Sequence, residues 1–164
     1  MYVVFECSST IRLYNTDTFS PLDVVINVDR MRRPGDIVVC RHDRQLYVAD
    51  YPDCIWRVSV DSHTYVKWLT TESVTDTFNV FSLSLTSRRL LVTSDEPPSL
   101  RQYNTIDRQL LRVVEMPGYV DELRHGIETT RGTFIVAHLG TSCDKDQYAV
   151  SELFRLSYVW SVAS

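Results

Sequence analysis

The amino-acid sequence predicts an all-β protein. It reads as a β-propeller segment of four-stranded antiparallel blades that recur about every 44 residues, three blades plus most of a fourth, a partial ring. Three observations lead there. A pattern of large, large, Val, small, polar recurs without a gap in Leu46-Tyr47-Val48-Ala49-Asp50, Leu90-Leu91-Val92-Thr93-Ser94 and Phe134-Ile135-Val136-Ala137-His138. Around each copy lie further short segments rich in Val, Ile, Leu, Tyr and Trp, the residues that suit a pleated, half-buried surface. No window of about 12 residues carries a clear helical period.

The elements follow in chain order. Met1-Tyr2-Val3-Val4-Phe5 matches the repeated pattern and reads as the second strand of a first blade, approximately 1–29. Ile11-Arg12-Leu13-Tyr14 and Asp23-Val24-Val25-Ile26 are its third and fourth. The second blade, 33–71, runs through Ile37-Val38-Val39-Cys40, the Val48 strand, Ile55-Trp56-Arg57-Val58 and Tyr65-Val66-Lys67-Trp68. The third, 78–116, runs through Phe81-Ser82-Leu83-Ser84, the Val92 strand, Leu100-Arg101-Gln102-Tyr103 and Leu110-Leu111-Arg112-Val113. The fourth, 123–164, holds His125-Gly126-Ile127-Glu128, the Val136 strand and, delayed by an insertion over 140–147, Val150-Ser151-Glu152-Leu153-Phe154. Turn chemistry separates them: Asn15-Thr16-Asp17, Arg33-Pro34-Gly35-Asp36, Glu96-Pro97-Pro98-Ser99, Met116-Pro117-Gly118. Residues 1–164 thus read as a single propeller segment. Its ring is incomplete, so the expectation is either a piece of a longer propeller or self-association through open blade edges.

Composition excludes several classes. Hydrophobic residues make up 44% and charged residues 23%, so the chain as a whole is neither disordered nor collagenous. Its apolar runs fall far short of the roughly 20 residues that span a bilayer, so no membrane partner is expected. Seventeen Lys+Arg against 21 Asp+Glu argue against a surface built for wholesale phosphate neutralisation. The sequence opens without a basic-then-apolar leader, which predicts a cytoplasmic protein, or an extracellular one if the N-terminus is incomplete. Cys7, Cys40, Cys54 and Cys143 lie singly, without metal-finger spacing, and no cofactor is expected.

The succession Arg33-Pro34-Gly35-Asp36-Ile37-Val38-Val39, Gln45-Leu46-Tyr47-Val48-Ala49-Asp50, Cys54-Ile55-Trp56-Arg57-Val58 resembles an NHL-type propeller blade. Six-bladed relatives, lactonase-like and YWTD-type, share much of the pattern. The third blade departs from it with Thr93-Ser94, and the fourth with His138. The resemblance implies valines packed between blades and an Asp50 carboxylate that bonds backbone N–H groups of the following turn. It also implies that functional contacts gather on one face, formed by the loops 51–54, 95–99 and 138–148 with 28–35, 72–78 and 117–124.

Three readings of function follow. The first is a non-catalytic interaction module that binds a protein partner through this loop face, with Arg30, Arg32, Arg33, Tyr51, Tyr119 and His138 as candidate contacts. The second is part of a metal-dependent, lactonase-like hydrolase. Its one candidate ligand is Glu128, on an innermost strand in register with Cys40 and Ser84 and expected to face a central channel, with Asn79 and His125 nearby. The third is RNA binding through the Arg30-Arg32-Arg33 loop, opposed by Glu72, Asp76, Asp121 and Glu122 and short of aromatic stacking platforms beyond Tyr51 and Tyr119. No catalytic residue is expected: the serines lack a nucleophile elbow, and five glycines leave no phosphate loop.

Overall fold

The structure, a computed structural model, describes residues 1–71, 78–118, 120–139 and 148–153, with Asp121 and 148–153 described by their backbone alone. The regular elements among them are all strands, and each pairs antiparallel with its sequence neighbour. The first sheet holds β1 (Tyr2–Val4), β2 (Thr10–Tyr14) and β3 (Pro21–Asn27) in the order β1-β2-β3. The second holds β4 (Pro34–Cys40), β5 (Gln45–Asp50), β6 (Cys54–Ser59) and β7 (Tyr65–Thr70), again in chain order. The third holds β8 (Ser82–Thr86), β9 (Arg89–Asp95), β10 (Pro98–Asn104) and β11 (Leu110–Glu115). The fourth holds β12 (Asp121–Glu128), β13 (Phe134–Leu139) and β14 (Tyr148–Leu153). These are propeller blades. The predicted insertion lies outside the described residues, and β14 follows it at the displaced position the sequence implies.

The chain divides into two compact units, Met1–Phe81 with the first two sheets and Ser82–Ser164 with the other two. In the first unit, period-2 alternation on β6 sends Trp56 and Val58 to one face, where they meet Leu46 and Val48 of β5 and, from the neighbouring sheet, Ile11 and Ile26. Val28 and Met31, in the segment joining the sheets, complete that core. In the second unit Leu91, Leu100, Val120, Leu123, Phe134 and Val136 form the corresponding core. The repeated valines Val48, Val92 and Val136 are fully buried, each such side chain contributing roughly 1.5–3 kcal/mol. Gly126 lets β12 approach its neighbour, because a Cβ there would stand 2.5 Å from Leu100 Cδ2.

The repeats share backbone detail as well as strands. The Val60 N–H donates to the Arg44 carbonyl at 3.0 Å, and 44 or 45 residues later the Thr105 N–H donates to the Arg88 carbonyl at 2.9 Å. Hairpin tips take left-handed residues, Arg44 at φ 51°, Ser87 at φ 57° and Gly132 at φ 78°. Among the described residues no helix is long and apolar enough to cross a membrane.

Candidate functional site

The segment between β3 and β4 alternates between anchor and display. Val28 and Met31 are buried, whereas Arg30, Arg32 and Arg33 are exposed. What fixes this loop is Asp50, the last residue of β5, itself only 5% exposed. Its Oδ1 accepts from the backbone N–H of Arg32 at 2.9 Å and of Arg33 at 2.6 Å. Its Oδ2 accepts from the Trp56 indole Nε1 at 2.9 Å. The carboxylate therefore reaches back to the preceding loop rather than into the following turn, as the sequence had implied. The reason is register: Asp50 lies opposite Pro34, the first residue of β4, so the chain entering β4 passes within reach of its side chain.

The turn after β5 closes on the same loop. The Tyr51 N–H donates to the Arg33 carbonyl at 3.0 Å, and the Arg33 guanidinium lies over the Tyr51 ring at 5.1 Å. The Tyr51 ring also meets Phe81 edge-on at 6.0 Å. Farther along the turn, the Pro52 carbonyl accepts from Val80 N–H at 2.8 Å and the Asp53 carbonyl from Thr71 N–H at 2.9 Å. Beneath it, burial and the Asp50 charge push the Cys54 thiol up to about 12, so it stays a neutral, inert group. The outcome is a braced corner in which the Arg33 guanidinium covers the Tyr51 ring and Arg30 and Arg32 are exposed on the same segment.

Four of the predicted contacts are thus brought together: Arg30, Arg32, Arg33 and Tyr51. His138 is not among them. It lies in the other unit, 3% exposed, with Nδ1 donating to the Leu139 carbonyl at 2.8 Å. Tyr119, Glu72, Asp76 and the 140–147 insertion lie outside the described residues. In the third blade Ser94 takes the place of Asp50, and its hydroxyl donates to the Glu96 carbonyl at 3.3 Å.

Glu128 also differs from expectation. Its side chain is 3% exposed and turns toward the neighbouring sheet. Oε2 accepts from Gln102 Nε2 at 2.8 Å; Oε1 takes Arg112 Nη2 at 2.5 Å and Arg89 Nη1 at 3.5 Å. Gln102 Oε1 in turn accepts from Arg112 Nε at 2.9 Å, and the Arg112 guanidinium lies 4.5 Å from the Phe134 ring centroid. Both oxygens are held by donors from the adjacent blade, and β12 is where that blade packs. Sequence reasoning missed this network, because Arg112 and Glu128 carry no local spacing that would pair them. His125, one of the two residues considered beside Glu128, contacts Ser82 Oγ through Nδ1 at 3.0 Å. Among the described residues no group of three His, Cys, Asp or Glu side chains is placed to hold a metal ion.

No family model matches this chain, and no curated protein matches it. Solved structures do. A crystal structure of a nidogen/laminin complex superposes with a TM-score of 0.67 at 11% identity, over 92% of this chain and 56% of that one. The likeness is one of fold, and this chain spans little more than half the length of the matched chain.

Proposed function

We propose that residues 1–164 act as one β-propeller segment, an NHL-like interaction module that binds a protein partner through the corner formed by Arg30, Arg32, Arg33 and Tyr51. The observation that carries this reading is the Asp50 clamp. It holds the backbone of Arg32 and Arg33 in place, so a ligand need not order that loop on binding. Guanidinium groups take carboxylates in a two-pronged geometry, so the complementary partner surface is acidic. The matched chain comes from a structure of a nidogen/laminin complex, which supports a protein rather than a nucleic acid as the partner class. The Tyr51 ring supports the same choice: Arg33 covers one face and Phe81 meets the ring, so it is a poor platform for a base.

The test is fluorescence anisotropy with a labelled Asp/Glu-rich peptide and, separately, a labelled oligouridylate. The peptide should bind in a salt-sensitive manner, and Arg30→Glu/Arg32→Glu/Arg33→Glu should weaken it by about tenfold or more while leaving the thermal midpoint unchanged. Equal peptide binding by the variant removes this corner from the reading. Preference for the oligouridylate would move the assignment to RNA.

A further inference from the structure

We propose that the Ser82–Ser164 unit carries a second, separate surface that docks peripherally on anionic lipid headgroups. Three turns leave the same end of its sheets: β8–β9 at 87–88, β10–β11 at 105–109 and β12–β13 at 129–133. The bond from the Thr105 N–H to the Arg88 carbonyl ties the first to the second, and the Arg89–Glu128 contact ties the first to the third. Arg88, Arg108 and Arg131 are exposed on these turns, and the Arg89 side chain is 46% exposed beside them. Among the described side chains the carboxylates at this end are two. Asp107 has Oδ1 engaged by the Gln109 N–H at 3.0 Å, and Glu128 is buried against Arg112. Among the described side chains the excess at this end is positive, in a chain whose formal net charge is -4.

The other unit builds the equivalent corner with a different residue at the turn tip. There Arg44 forks onto Asp61, its Nε 2.9 Å and 2.8 Å from the two carboxylate oxygens, and the hydrogen bond from the guanidinium holds the pKa of Asp61 below the usual carboxylate range. Asp61 follows Val60, whose N–H bonds the Arg44 carbonyl. The residue that follows the equivalent Thr105 is Ile106, 62% exposed, with Leu110 and Leu111 also exposed nearby. An aliphatic side chain thus stands in place of a carboxylate, at the tip of a turn ringed by arginines.

This pairing of chemistries selects the ligand. A soluble polyanion would use the guanidinium groups and leave Ile106 idle. RNA would call for aromatic platforms, and these turns hold none. An acidic bilayer uses both: phosphate and carboxylate headgroups take the arginines, and the boundary with the acyl chains takes Ile106. The sequence offers no membrane span, and peripheral docking requires none.

The test is co-sedimentation of the full chain with phosphatidylcholine vesicles, with and without phosphatidylserine. Binding should require phosphatidylserine and fall as salt is raised. Arg108→Glu/Arg131→Glu should cut the bound fraction by about tenfold, and Ile106→Ser, which changes no charge, by about threefold. Circular dichroism checks that each variant is folded. Arg30→Glu/Arg32→Glu/Arg33→Glu should bind vesicles as the parent does, which separates this surface from the loop corner. No uptake by phosphatidylserine vesicles, equal uptake by neutral ones, or uptake indifferent to both variants overturns the proposal. Binding to oligouridylate or an acidic peptide that Arg108→Glu/Arg131→Glu abolishes, with vesicles ignored, also overturns it and assigns the patch to a soluble polyanion.

Discussion

One carboxylate, that of Asp50, organises the basic corner. Removing it strands two backbone N–H groups and an indole N–H that now share its oxygens. A buried donor left without an acceptor costs about 1–3 kcal/mol, and the exposed Arg32 and Arg33 segment can recruit water for part of that loss. Asp50→Ala should therefore destabilise the chain by roughly 2–3 kcal/mol in urea titration. The Trp56 indole proton resonance should shift upfield in the same variant. A change under about 0.5 kcal/mol would mean that the loop holds its shape without the clamp. The sequence made Asp50 legible as a capping residue, because its type and its place at a strand end are local facts. Which loop it caps was not legible, since that depends on the strand register that sets Asp50 opposite Pro34.

At the scale of elements, the strands were legible and their facing partners were not. Leu46, Val48 and Ile55 announce β5 and β6 through alternation and through the 44-residue recurrence, both of which can be counted along the chain. The direction in which Glu128 turns cannot be counted, because its partners Gln102 and Arg112 come from strands of another blade. That network fastens β12 to β10 and β11, and its strength is measurable by a double-mutant cycle of Glu128→Gln and Arg112→Met. Arg112 is 28% exposed and keeps some access to water, so the coupling should lie near 1–2 kcal/mol rather than at the upper range for buried pairs. A coupling indistinguishable from zero would reduce the contact to coincidental proximity.

At the scale of the whole molecule, each of the two compact units has its own core. Trp56 and Trp68 both lie in Met1–Phe81, so tryptophan emission of a Trp160→Phe chain reports that unit, while far-ultraviolet circular dichroism reports both. Denaturant transitions followed by the two probes should fail to coincide if the units unfold separately. Superimposable transitions would show a single cooperative body. The shared bond from Val60 to Arg44 and from Thr105 to Arg88 reaches further still. It leaves the main chain indifferent to the side chain that comes next, aspartate in one repeat and isoleucine in the other. The repeats are in this sense interchangeable frames. Trading Asp61 for Ile106, or the reverse, would graft the surface character of one blade onto another without disturbing a single rung of strand pairing.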